Sequence, residues 1–400
     1  MVVGGGPPQR GLLVEVLSLP AYRRWSLTAQ LARLPLAMTP LAFLLLATAV
    51  TGNYRLGGVM VAAGTIAEVL IASPAGRLLD RGDPRRSLSM MLLATSLVLG
   101  LLTAAGELSW PAVALVALAV ASSSLTAGVP AGMRRILQHT VPDRLMAPAL
   151  AVDGVAIEFA VIAGPLLVAA VVPLTHAAGV GAMAVVTLGA AVLVRGLAPP
   201  RPVPLSPEGV RPASPQRLSS PSFVLWLGIG LAAAQTIGLA EVSALPIATQ
   251  LGGGTPTAVL LQVVLAVTSA TTGLFYGARS QRLPGSPLQR AVTLLLGLSG
   301  GVVMLAVQAG YAVTVVGYVV LGACTAPLIT TVLITIQDLV PPGRAAEAYG
   351  LNTASTGVGY ALAGAALAAL PLQASLCSSS ISTAACVAAA TFVRRKPGPR

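Results

Sequence analysis

The strongest constraint on this chain is the recurrence of apolar stretches about as long as a bilayer is thick. A helix needs roughly 20 apolar residues to cross the hydrocarbon core. Such stretches recur near 27–50, 56–79, 87–106, 111–133, 147–173 and 177–197. They return near 222–249, 256–278, 287–308, 312–337, 346–370 and 373–393. Charged residues are 9% of the chain and hydrophobic ones 55%, whereas a soluble domain carries about 25% charged residues. The expected fold class is therefore an all-α membrane protein with twelve transmembrane helices. Many of these stretches contain Gly, Pro, Ser and Thr, which membrane helices tolerate because neighbours re-satisfy the backbone and small residues allow close packing.

The arginines give the topology. Arg23 and Arg24, the segment Gly76 to Arg86, Arg134, Arg135 and Arg144, and then Arg279, Arg282, Arg290, Arg344, Arg394, Arg395 and Lys396 occupy every second connection. The alternate connections hold only Arg55, Glu107 and His176. The positive-inside rule then places both termini in the cytoplasm. Between the two sets of six stretches lies Ala198 to Pro221, with eight prolines, three arginines and one glutamate. Such a segment is extended and solvated, with no core to bury. The expected division is a cytoplasmic segment 1–26, a six-helix bundle 27–197, a linker 198–221, a second six-helix bundle 222–393 and a basic tail 394–400.

The two bundles carry an internal repeat. Val141-Pro142-Asp143-Arg144 returns, one residue longer, as Val340-Pro341-Pro342-Gly343-Arg344, and Ala163-Gly164 returns as Ala363-Gly364, 200 residues on. Two halves related by duplication, with a substrate site at the midplane between them, is a transporter plan.

Several chemistries are not expected. The net charge of +12 falls between spans and not on a basic face interleaved with aromatics, so no nucleic-acid partner is implied. Cys324, Cys377 and Cys386 lie in apolar segments without metal spacing, and His139 and His176 are isolated, so neither metal nor cofactor is expected. There is no nucleotide-binding loop and no gathered nucleophile, base and orienting group. The chain is read as a non-enzyme and a monomer with no ATPase partner. Met1 to Arg10 lacks an apolar signal region, which leaves insertion to the first helix.

The segment Gly76-Arg-Leu-Leu-Asp80-Arg81-Gly-Asp83-Pro-Arg85-Arg86 mixes acids and bases between two spans, and a turn so charged must be aqueous. It resembles the signature of the loop between the second and third helices of the major facilitator superfamily. Gly76, Asp80, Arg81, Arg85 and Arg86 match that pattern, while Asp83 stands where a second glycine is usual and Pro84 displaces the first basic residue. The resemblance implies a charge-relay latch on the cytoplasmic side. A degraded echo runs from Gly277 to Arg282 and has lost the acid. Gly164-Pro165 resembles part of the antiporter motif of the fifth helix, but it also reads as a packing kink. Arg33-Leu34-Pro35 with Met38, and Leu150 to Leu166 with Asp153 and Glu158, are similar to an efflux-type branch of the superfamily common in actinobacteria.

Five ionisable residues fall within spans: Arg33, Glu68, Asp153, Glu158 and Glu241. A charge there costs about 2.5–3.5 kcal/mol on insertion scales, so such residues face an interior and find partners. At 1.5 Å per residue, Arg33 and Asp153 lie at similar depth, so the two are expected to pair. Glu158, about 140° around the helix from Asp153, is left to exchange a proton. Glu68 is a further partner within reach of Arg33 and a further proton-coupling candidate, and Glu241 a second proton or cation site. By family analogy the substrate cavity is lined by helices 1, 4, 7 and 10. The polar candidates there are Thr39, Ser123, Gln235, Thr236, Gln262, Thr325 and Asn352. The expected function is secondary active transport at the plasma membrane: proton-coupled efflux of a moderately apolar or cationic small molecule. Uptake by symport or uniport on the same fold remains open, as does a non-transporting sensor or assembly protein.

Overall fold

The computed structural model describes residues 9–80, 83–197, 220–279, 284–339 and 345–395. Among them are fourteen helices and no strand. They are α1 Gln9–Ser18, α2 Pro20–Thr51, α3 Arg55–Asp80, α4 Pro84–Glu107, α5 Ala112–Thr126, α6 Val129–Thr140, α7 Asp143–Val171 and α8 Ala178–Arg195. The second set is α9 Pro221–Gln250, α10 Thr255–Arg279, α11 Pro287–Val307, α12 Tyr311–Leu339, α13 Ala345–Ala369 and α14 Leu372–Arg395. Eleven spans among the described residues are long and apolar enough to cross a membrane, with α5 and α6 together forming one of them. The one expected span not among them, 346–370, coincides with α13, a 25-residue helix that is diluted by Glu347, Asn352, Thr353, Ser355 and Thr356.

The helices depart from the expected spans in two places. The first begins at Pro20, seven residues before the expected 27, because its aqueous end is itself packed. Tyr22 and Trp25 are 1% exposed. The Tyr22 hydroxyl donates to Ala149 O (2.9 Å) and Trp25 Nε1 to Met133 O (2.9 Å), so both rings pin α2 to its neighbours. With Val16 of α1 they join Leu88, Met133, Ile136, Leu145 and Val194 in one core. The second departure is in the fourth span, expected as one helix over 111–133. It divides at Ala127–Gly128, where Gly128 caps α6 and Pro130 follows in its first turn. A proline has no N–H to continue the ladder of the preceding helix.

By contact density the chain forms two units: Met1–Thr39 with Leu70–Leu205, and Pro40–Val69 with Ser206–Arg400. The division thus runs through α2 and α3 as well as the linker. In unit 1, α4 lies along α8, and α1 along α7. In unit 2, α9 is the central helix, touched by α10, α11, α12, α13 and α14. Of its most apolar window 78% is buried, against 25–44% for the other spans. Elsewhere large apolar side chains such as Leu97, Val113, Val185 and Ile381 point outward, as a hydrocarbon solvent permits.

The repeat reaches the backbone. Gly52 after α2 and Gly252 after α9 both adopt positive φ, +69° and +74°. This is the left-handed stop that glycine makes at least cost. Ser109 after α4 and Gln308 after α11 do the same at 51° and 53°. Asp83 and Ser286 cap α4 and α11, each followed by a proline. The glycines of the 200-residue repeat also share a use. A Cβ on Gly164 would lie 2.8 Å from the Ala37 backbone of α2, and one on Gly364 would lie 2.8 Å from Gly58 O of α3. Helices approach this closely only where a side chain is missing.

Two predictions follow from this packing and capping. Gly364→Val places a branched side chain against backbone that cannot rotate away, so the thermal midpoint in detergent falls, with a loss of about 1–3 kcal/mol. Gly100→Ala, with open space around it, leaves the midpoint unchanged or raised. The second concerns Asp83, whose carboxyl accepts hydrogen bonds from the Arg85 side chain and backbone and lies near Arg86, which hold it below the usual carboxylate range against some desolvation. Its stabilising effect is complete above the unfolded carboxylate pKa of about 3.9 and fades as pH falls through the lower folded value. Asp83→Ala should cost about 1 kcal/mol near neutral pH. Asp83→Asn should keep the cap and lose this pH dependence, read by unfolding between pH 3 and 7.

Candidate functional site

The charged loop is described in part. Gly76 and Asp80 lie on the last turn of α3, but their side-chain surroundings, and Arg81 entirely, fall outside the described residues. From Asp83 onward the loop is explicit. Asp83 has extended φ and ψ of −68° and 110°, and its carboxylate accepts from Arg85 N (3.0 Å). No left-handed residue is required there, which is why an acid serves where the family pattern has glycine. Arg85 grips Asp83 in turn, through NH2 at 2.9 Å and Nε at 3.2 Å, and donates from NH1 to Leu197 O (2.9 Å). Below it, Arg195 Nε donates to Ser89 Oγ (2.8 Å), and Ser89 Oγ to Ala191 O (2.8 Å). These bonds clasp the start of α4 to the end of α8. Arg86 is exposed.

Farther along the spans of unit 1, Arg33 of α2 meets Asp153 of α7 in a bidentate pair. NH1 lies 2.6 Å from Oδ1 and NH2 3.0 Å from Oδ2, with side-chain exposures of 21% and 9%. Two parallel charge-assisted bonds are the strong arrangement for this pair. Gln30 completes it, Nε2 donating to Asp153 Oδ1 at 3.2 Å. Sequence reasoning missed Gln30, although its spacing of three from Arg33 puts both on one helix face. Asp153 thus has a full cationic partner. Gly164 sits against Ala37, so its immediate use is to let α7 approach α2. Glu158 lies on α7, with its side chain outside the described residues.

Unit 2 holds a different arrangement around α9. Glu241 is half-buried, and its backbone carbonyl accepts from Gln262 Nε2 of α10 (3.0 Å). The preceding carbonyl, of Ala240, accepts from the Tyr318 hydroxyl of α12 (2.7 Å). Tyr360 of α13 lies beside Glu241. Its ring stands on Gly238, where a Cβ would come within 2.7 Å of Tyr360 Cδ1. Among the described residues Glu241 has no ion-pair partner. One and a half turns away, Gln235 Oε1 accepts from Ser382 of α14 (2.7 Å). Tyr318, Tyr360 and Ser382 carry no sequence signal, because tyrosine and serine are ordinary in such helices and only packing brings them to α9.

The remaining candidates separate into two kinds. Thr39, Thr236 and Thr325 donate to carbonyls of their own helices, at Pro35 (2.9 Å), Ala232 (2.8 Å) and Leu321 (2.8 Å). Each hydroxyl keeps its oxygen lone pairs as acceptors. Asn352 is buried with its Oδ1 unpartnered, facing Gly230 of α9. Ser123 and Glu68 are half-buried on α5 and α3. Thr39 and Ser123 belong to unit 1, and Gln235, Thr236, Gln262, Thr325 and Asn352 to unit 2.

Comparison with known proteins agrees with this architecture. A peptide transporter has a TM-score of 0.73 at 13% identity, covering 98% of this chain and 99% of its own. A nucleoside transporter scores 0.68 at 11% identity, covering 94% and 100%. The human organic anion transporter MFSD10 scores 0.62 at 17% identity, covering 96% and 100%. At such identities the likeness shows the fold alone. No curated protein sequence matches this chain. The family model of the Major Facilitator Superfamily matches residues 26–364. With that match over most of its length and the helical architecture above, the chain belongs to the Major Facilitator Superfamily.

Proposed function

We propose that the protein is a secondary active transporter of the plasma membrane that exports a small, moderately apolar or cationic compound in exchange for protons. The observation that carries this reading is the contrast between its two best-described intramembrane acids. Asp153 is matched by Arg33 through two short bonds. Glu241 has no ion-pair partner among the described residues. A charge without a counter-charge is expensive among apolar helices, and a proton removes that charge reversibly. A group of this kind can tie the preferred conformation of a carrier to the proton gradient. Asp153, already neutralised, serves structure.

The charge pattern also supports the substrate class. Solved structures similar to this one include carriers named for nucleosides, peptides and organic anions. Arg33 is engaged by Asp153, whereas Glu241 suits a cation.

Proteoliposomes with an imposed pH gradient test the coupling. Glu241→Gln should abolish gradient-driven substrate movement, lowering it tenfold or more, while the purified protein keeps its thermal midpoint. Retained gradient-driven transport in that variant would overturn the assignment, and accumulation in right-side-out vesicles instead of inverted ones would reverse the direction. The structural role of the other pair predicts a different pattern. Arg33→Met leaves Asp153 buried without a counter-charge and should cost about 3 kcal/mol or more of stability. The double variant with Asp153→Leu should recover most of it, read by thermal unfolding in detergent.

A further inference from the structure

Glu241, Gln262, Tyr318 and Tyr360 come from four helices of unit 2, α9, α10, α12 and α13, and gather at one level of α9. The orientation of the Gln262 amide is fixed by its own bond. Nε2 donates to the Glu241 carbonyl, so Oε1 is the acceptor end, one amide width from the atom bonded to residue 241. Gln262 is 7% exposed, and this Oε1 is buried with no donor. A buried acceptor left unpaired costs about 1–3 kcal/mol, which marks it as a place where something binds.

The hydroxyls nearby do not fill that need. Tyr318 is committed to Ala240 O and Ser243 to Leu239 O. Tyr360 stands on Gly238 one turn before Glu241, on the side of α13, and a carboxylate offers about four lone-pair positions. Tyr318 and Tyr360 are the titratable groups facing Glu241 among the described residues, and neither is a cation. The cluster therefore has acceptors in excess and one negative charge, and it lacks a positively charged donor. An ammonium group carries three N–H donors and no acceptor.

From this geometry we infer that Glu241 and Gln262 form a subsite for the primary ammonium group of a substrate. The Glu241 carboxylate supplies charge and Gln262 Oε1 the further acceptor. Tyr360, seated on Gly238, lies beside Glu241. The inference deepens the proton-coupled reading and rests on it in one respect: proton and ammonium occupy the same carboxyl in turn, so arrival of one requires departure of the other.

The test uses the purified full-length protein in detergent micelles at pH 8 and pH 6. It is titrated with 2-phenylethylammonium chloride and with the N,N,N-trimethyl analogue, which keeps the charge and lacks N–H donors. Binding is read from the rise in thermal midpoint and from tryptophan fluorescence. The primary ammonium should bind at least about tenfold tighter than the trimethyl analogue, as loss of a hydrogen bond to a charged group implies. It should weaken at pH 6. Gln262→Met should weaken the primary ammonium about tenfold and spare the analogue, and Glu241→Gln should abolish both. Equal binding of the two compounds, an unchanged affinity in Gln262→Met, or no response of the wild type to the primary ammonium at millimolar concentration would each overturn the subsite. Displacement of the ammonium by sodium chloride but not by choline chloride would reassign it to a metal cation. If Gln262→Met does not fold, the two compounds on the wild type still decide. Ammonium binding without gradient-driven transport removes the proton-coupled reading and leaves the subsite, and the converse removes the subsite alone.

Discussion

A charge among apolar helices must be matched or given up, and much of the interior polar chemistry of this protein answers to that constraint. Arg33 and Asp153 meet it by pairing, with Gln30 filling a further position on the carboxylate. Glu241 has no ion-pair partner among the described residues, and beside it lies the Gln262 amide, whose oxygen is unpartnered. The two acids have the same chemistry in different surroundings, and the proposed proton exchange rests on that difference.

Close packing makes those surroundings possible. Tyr360 reaches Glu241 because Gly238 leaves room for its ring, and α7 reaches α2 because Gly164 leaves room for the Ala37 backbone. The centrality of α9 matters for the same reason: touched by five other helices, it receives polar side chains from α10, α12 and α14. The same economy explains the helix starts. Asp83 and Ser286 each cap a third helix in their half ahead of a proline, and the acid at Asp83 additionally holds Arg85, which secures Leu197.

How much was legible in the sequence depends on the range of the interaction. The spans were legible because a bilayer imposes a length of apolar chain, whatever the fold. The pairing of Arg33 with Asp153 was legible because equal depth and opposite charge suffice to nominate it. The early start of α2 was not, because it depends on the Tyr22 hydroxyl and Trp25 indole bonding Ala149 and Met133, far along the chain. That the threonines at 39, 236 and 325 each donate to the preceding turn was not legible either, because residue type alone does not reveal which carbonyl a hydroxyl takes.

By itself the sequence determined that the chain crosses a membrane many times, that it is built from two related halves, and which charges would need company. Apolar length, arginine placement and a displacement of 200 residues are properties of order along the chain. Tertiary structure decided which acid has a counter-charge among the described residues and which has none. It also decided that residues 40–69 pack with the second unit and that the repeated glycines are points of helix contact. These depend on residues far apart in sequence meeting at distances of a few ångströms. Hydrogen bonding and steric fit act only at that range, and no spacing along the chain encodes them.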